Sequence, residues 1–160
     1  DDGYRHYQVV ECGFKYNMMD LQAAIGIHQL KRVEECWKRR EQIWKRYMLE
    51  LSGLPIDLPA IPEKNTKHGY HLFTLQIDQA KCRLHRDEFI NAMSAQNVGV
   101  GVHYLSIPEH KYYKEKFGWK PEDYPNAMKI GRSTVSIPIT AKLSDADVSD
   151  VIAAVRSVLT

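Results

Sequence analysis

Between Gln29 and Leu51 the chain carries large apolar residues at helical spacing: Val33, Trp37, Trp44, Tyr47 or Met48, and Leu51, with Arg40 in step. A stripe at three- and four-residue intervals is satisfied only by an amphipathic helix lying on a core. It continues a helical stretch that opens at Asp20, a good N-cap, with Leu21, Ala24, Ile25 and His28 on one face. One kinked helix and two helices both fit, and Gly26 either weakens the first part or admits a close neighbour. Ser52-Gly53 followed by Pro55 ends the run. On the outer face Glu34–Lys38, Glu35–Arg39 and Glu41–Lys45 stand four apart in the favourable order. Such a helix invites a nucleic-acid reading, but the interleaved glutamates make it a solvated face.

The rest alternates short strands and helices. Leu54–Leu58 is a short strand candidate, followed by a polar loop over residues 59–67. Tyr70–Ile77 is the strongest strand, with His71, Phe73, Leu75 and Ile77 on one side and Tyr70, Leu72, Thr74 and Gln76 on the other. The pattern predicts helices over 86–96, 109–117 and 124–132, a turn and strand over 97–104, and a strand over 134–137 that Pro138 ends. Ser144, with Asp147 three residues on, opens a last helix whose buried face is Val148, Val151, Ile152, Val155 and Leu159. This order predicts an α/β or α+β fold, a small sheet packed with helices.

With 160 residues and 44% hydrophobic content, the chain can build one real core. Lys+Arg 22 against Asp+Glu 20 leaves +2, which gives no general attraction to nucleic acid or an anionic membrane. No apolar run reaches the roughly 20 residues of a membrane helix. Cys12, Cys36 and Cys82 are too few and too widely spaced for a disulfide framework or a zinc motif, and read as small buried hydrophobes in a reducing, cytoplasmic protein. Asp1-Asp2-Gly3-Tyr4 reads as neither an initiator methionine nor a signal peptide but as a fragment's start.

The most specific signal is the run from Gly13-Phe14-Lys15-Tyr16-Asn17-Met18-Met19-Asp20 through Leu21-Gln22-Ala23-Ala24-Ile25-Gly26 to Leu30. It resembles the segment after the active-site lysine in the DegT/DnrJ/StrS family of PLP (pyridoxal phosphate)-dependent sugar aminotransferases. Three later landmarks resemble the family's in the same order: His68-Gly69-Tyr70-His71-Leu72-Phe73, Gly99-Val100-Gly101-Val102-His103-Tyr104, and Ser136-Ile137-Pro138-Ile139. The resemblance covers the whole chain but only the C-terminal part of a member, somewhat under half. It implies the C-terminal portion of a fold-type I aminotransferase, with residues 1–30 belonging to the large cofactor domain and dimer contact, and 31–160 forming the small domain.

The implied activity is conversion of a nucleotide-linked keto sugar to an amino sugar, with PLP as cofactor, glutamate as amino donor and a homodimer sharing its sites. The Schiff-base lysine would lie upstream of Asp1, so no catalytic residue is assigned here. Lys15 stands where many members carry an asparagine reaching the partner's site, and the resemblance implies a contact to cofactor phosphate or sugar-nucleotide diphosphate; a lysine suits a dianion as a point charge. Read from sequence alone, Lys15 is a surface lysine after a turn. His103 and Tyr104 are the implied substrate contacts; alone they read as an edge-strand histidine and a half-buried tyrosine. Many members have Arg where Asn17 stands, which removes a charge clamp. Gln22 and His28 read as packing residues.

His68 and His71 point to opposite faces of the expected strand, a poor geometry for one metal, so a buried His71 is expected and no metal site. Trp37, Trp44 and Trp119 read as core or interface packing. No Ser-His-Asp set, Walker loop or Rossmann fingerprint is present. Two alternatives remain: a regulatory or non-catalytic homologue, and an independent α/β binding module without PLP. The helical stretch 16–30 separates the second, because a self-contained module buries that face and a piece of a larger enzyme exposes it.

Overall fold

The computed structural model describes residues 10–160, which form two compact units divided between Val33 and Glu34. Of the expected Gln8-Val9-Val10 strand, only Val10 lies inside the described residues, and it is exposed.

In the first unit, residues 10–19 have no regular secondary structure and lead into helix α1, Asp20–Lys31. Asp20 is the first helical residue, not the cap. Gln22 Oε1 instead accepts from the Met19 backbone N–H at 3.1 Å, and Asp20 adds an acid in the first turn, where it complements the helix dipole. No α1 residue is buried; Leu21, Ile25, Ile27 and Leu30 are all exposed. The long helical run is two helices. At Arg32, which follows α1, the backbone departs from helical values (φ −109°, ψ 3°) and the guanidinium donates to Gln29 Oε1 at 2.8 Å.

Helix α2, Val33–Glu50, carries the aromatic stripe into the second unit. Ile43, Trp44, Tyr47 and Leu51 are buried, Trp37 is half-buried, and Val33 is exposed. Strand β1, Phe73–Gln76, lays Phe73 edge-on against Tyr47 (centroids 5.1 Å) and Trp44 (5.7 Å). The Tyr47 hydroxyl donates to the Pro138 carbonyl at 2.8 Å, and burial pushes its pKa up.

β1 pairs antiparallel with β2, Thr134–Ile137, in the register Phe73↔Ile137 to Gln76↔Thr134. Asp57 adds one bridge beyond β1 at Gln76, and Gly101 adds one beyond β2 at Ser136. The expected strands at 54–58 and 97–104 are therefore single bridges. Pro55 and Pro59 flank Asp57 and have no N–H to extend a ladder. The expected Tyr70–Ile77 strand is shortened as well. Tyr70 takes φ 47°, and its N–H turns to His68 Nδ1 at 3.1 Å, so the alternation starts only at Phe73. His71 is exposed, against expectation, and Tyr70 is buried.

A single helical turn, α3 (Gln79–Cys82), follows β1, and α4 (Arg86–Ala95) buries Phe89 and Met93, with Ile90 half-buried. The expected helix at 109–117 divides into a 3-10 turn, Ile107–Glu109, and α5, Lys111–Phe117. Helix α6, Pro125–Ser133, leads straight into β2. The last helix, α7 (Asp145–Leu159), has the expected cap: Ser144 Oγ accepts from Asp147 N–H at 3.1 Å, and Asp147 Oδ2 accepts from Ser144 N–H at 2.8 Å. Hydrogen bonds from Ser144 hold the Asp147 carboxyl below the usual carboxylate range.

Helix α2 is tied along α7. Arg39 reaches the Leu143 carbonyl and the Asp145 carboxylate, both at 2.8 Å; Arg46 donates to Ser149 Oγ at 2.9 Å; and Arg156 donates to the Glu50 carbonyl at 2.5 Å. Of the three expected ion pairs along α2 only Glu41–Lys45 forms, at 3.0 Å. Arg39 is drawn to α7 because its planar fork binds a carbonyl and a carboxylate together. Glu34 takes Lys67 at 2.8 Å, and Lys67 also sits 4.9 Å over the Trp37 ring. The cysteines are not the buried hydrophobes expected: Cys12 is exposed, Cys36 and Cys82 are half-buried, and all three are free. Among the described residues no helix is long and apolar enough to cross a membrane.

Candidate functional site

The expected substrate-contacting pair sits at the Gly101 edge of the sheet. Gly101 and Ser136 exchange both backbone hydrogen bonds (3.0 and 2.7 Å), which fixes where the chain leaves β2 two residues before His103. His103 is half-buried, with Nδ1 2.9 Å from Ser136 Oγ. A Cβ on Gly101 would lie 2.8 Å from His103 Cε1, so the ring packs where any other residue would place a side chain. The peptide joining His103 to Tyr104 is cis. The Tyr104 ring stands edge-on to the imidazole at 5.0 Å and is 74% exposed, more open than the half-buried tyrosine read from sequence alone.

Two residues on, the chain is pinned again. Ser106 is buried and donates to the Ala127 carbonyl of α6. Gly131 faces it, and a Cβ there would fall 2.1 Å from Ser106 Oγ. Anchored at His103 and at Ser106, the segment projects Tyr104 and the half-exposed Leu105 outward. An exposed phenol beside an imidazole can pack on a sugar face and hydrogen-bond its hydroxyls.

Lys15 belongs to the first unit. It is exposed, stands between exposed Phe14 and Tyr16, whose rings lie 5.6 Å apart, and makes no hydrogen bond or ion pair among the described residues. The structure thus brings His103 and Tyr104 together and places Lys15 on a separate unit. In the sequence Ser136 stands as the first residue of the Ser136-Ile137-Pro138-Ile139 landmark, with no site role read for it. The signal lay in β2 itself, where all four residues are buried, so that polar Thr134 and Ser136 require partners.

The other features do not form a reactive site. A concavity of about 630 Å³ lies between α2 and the loop over 58–66, with an apolar lining that includes Trp44, Met48, Leu58, Ile61, Pro62 and Tyr70. Its one cation, Lys45, is paired with Glu41. No group of three or more His, Cys, Asp or Glu residues among the described ones is placed to hold a metal ion. The expected packing roles of the tryptophans hold in this unit: Trp44 is in the core, Trp37 donates to the His68 carbonyl at 2.7 Å, and Trp119 stacks on Tyr113 at 5.6 Å.

Comparison with known proteins decides the family. Residues 1–156 match the DegT/DnrJ/EryC1/StrS aminotransferase family. The chain belongs to that family. It is 41% identical over 159 residues to the spore coat polysaccharide biosynthesis protein SpsC of Bacillus subtilis, and 40% identical over 158 residues to the uncharacterized protein MJ1066 of Methanocaldococcus jannaschii. Each alignment covers 99% of this chain and 41% of the relative. The apo form of Spr1654 from Streptococcus pneumoniae superposes with a TM-score of 0.84 at 28% identity, covering 98% of this chain and 39% of that one. Spr1654 has also been solved in PLP and PMP (pyridoxamine phosphate) forms. The two-stranded antiparallel sheet packed among helices is the α/β architecture of a fold-type I aminotransferase domain.

A DegT-family chain implies PLP, and the residues here fit one of its needs. A phosphate dianion wants an accessible cation, which Lys15 is. A Schiff-base lysine wants a desolvated pocket to lower its pKa. Every lysine in this chain is exposed.

Proposed function

We propose that this DegT-family chain is the C-terminal portion of a PLP-dependent aminotransferase that converts a nucleotide-linked keto sugar to an amino sugar, with glutamate as donor. The observation that carries this is the pairing of a family match over residues 1–156 with relatives of which the chain spans 41%. Residues 1–30 are assigned to the large cofactor domain and dimer contact, and 31–160 to the small domain. The reading takes the working unit as a cytoplasmic homodimer; the three free cysteines accord with a reducing compartment. The exposed apolar side chains of α1 (Leu21, Ile25, Ile27, Leu30), which stand on more than one side of the helix, support it, since burying them would stabilise contact with a further domain or subunit and their exposure tells against a self-contained module.

The cofactor, when bound, carries the amino group from donor to sugar. This chain's part is binding and positioning. Lys15 neutralises the cofactor phosphate or the sugar-nucleotide diphosphate. Tyr104 packs against the sugar, and His103 hydrogen-bonds it. No residue of the chain is assigned the Schiff base.

In the full-length enzyme, Lys15→Ala is expected to weaken PLP or sugar-nucleotide binding about tenfold, the loss of one charge-assisted contact at an accessible position. Thermal stability should hardly change, because Lys15 buries nothing. Cofactor titration and KM for the nucleotide sugar measure the effect. Unchanged binding of both ligands removes Lys15 from the site.

A further inference from the structure

We infer that Ser136 is the positioning residue that sets which nitrogen of His103 faces the ligand, so that His103 presents an Nε2–H donor to an oxygen acceptor. The inference rests on the reading that His103 touches substrate, and it specifies the chemistry of that contact.

Ser136 is 5% exposed, on a strand buried along its whole length. Its backbone groups are used by Gly101. Its Oγ lies 2.9 Å from His103 Nδ1 and has no other hydrogen-bond partner among the described residues. A hydroxyl carries one proton, and removed from water that proton needs an acceptor. Nδ1 is the acceptor in reach. If Nδ1 carried the hydrogen instead, it would donate to Oγ and strand the hydroxyl proton in the interior. Ser136 therefore donates, Nδ1 accepts, and the neutral ring holds its hydrogen on Nε2. The partner on one ring nitrogen fixes the role of the other.

Gly101 keeps the ring in reach of Ser136. The three nearest atoms to a Cβ built at Gly101 all belong to the imidazole, the closest at 2.8 Å, so a methyl group there presses first on the ring. The resulting donor suits a hydroxyl, carbonyl or phosphate oxygen of a nucleotide-linked sugar. It does not suit a protonated amine.

The test uses 15N shifts of the His103 ring in the unliganded chain at about pH 8.5, two units above the ordinary imidazole pKa. The Nε2–H tautomer should exceed the Nδ1–H form by about tenfold or more. Ser136→Ala should lower the ratio to that of a free imidazole. Gly101→Ala should do the same with Ser136 intact, and it serves should Ser136→Ala fail to fold. A predominant Nδ1–H form, or a ratio unmoved by both substitutions, overturns the inference. In the full-length enzyme, Ser136→Ala should raise KM for the nucleotide sugar several-fold with kcat less affected. A shifted tautomer with unchanged KM upholds Ser136 as the residue that fixes the ring, but overturns the presentation of Nε2–H to the ligand and, with it, the placing of His103 at the substrate.

Discussion

Phe73→Ala is expected to destabilise the second unit by about 3–5 kcal/mol, the range for deleting a fully buried aromatic side chain. Phe73 is completely buried at the start of β1, with the rings of Tyr47 and Trp44 edge-on to it. Removing it leaves a void that α2 cannot fill. Tyr47 is held by its bond to Pro138, and α2 is fastened to α7 by Arg39 and Arg46. A loss of that size approaches the whole stability of many domains, about 5–15 kcal/mol. Urea unfolding should show a large drop in midpoint. The control, Ile61→Ala at a 79% exposed position, should shift stability by less than about 0.5 kcal/mol. Equal effects at both positions would mean that the core lies elsewhere.

Gly131→Ala should lower stability by about 1–3 kcal/mol, opposite in sign to the usual gain of about 1 kcal/mol from alanine in a helix. The reversal comes from Ser106. The new Cβ would lie 2.1 Å from its hydroxyl oxygen and 2.8 Å from its backbone nitrogen, and the backbone contact cannot be relieved by a rotamer change. The segment carrying His103 and Tyr104 must then lift from α6, breaking the Ser106–Ala127 bond. Ser106→Ala in the same chain should recover part of the loss by removing the nearest atom, and a double-mutant cycle reads that coupling. Additive losses would show that Gly131 and Ser106 do not press on each other.

The two elements most legible in the sequence are those whose determinants are local. β2 begins and ends where the residue pattern places it, because Pro138 stops the ladder. α7 begins directly after its cap, Ser144, because hydroxyl and carboxylate three residues apart satisfy the orphan backbone donors between them. Where the outcome rests on distant partners, the sequence reading falls short. Arg32 breaks the long helix without a glycine or proline to mark it. His71 leaves the core because Tyr70 adopts a left-handed backbone two residues past His68. The pairs read along α2 give way to Lys67 and Asp145, 33 and 106 residues away from their partners, Glu34 and Arg39, in the chain. The same limit holds at the candidate site. His103 and Tyr104 are visible as a motif, and so is the serine beneath the imidazole, 33 residues further on, but nothing in either motif shows that the two side chains meet.

The proposed division of labour, in which this chain grips ligands and the lysine that bonds covalently to PLP lies outside it, has a direct test. Borohydride reduction of the chain mixed with PLP, followed by peptide mass spectrometry, tests that division. Exposed lysines should be labelled sparsely and without preference. A stoichiometric adduct at one lysine would contradict the account.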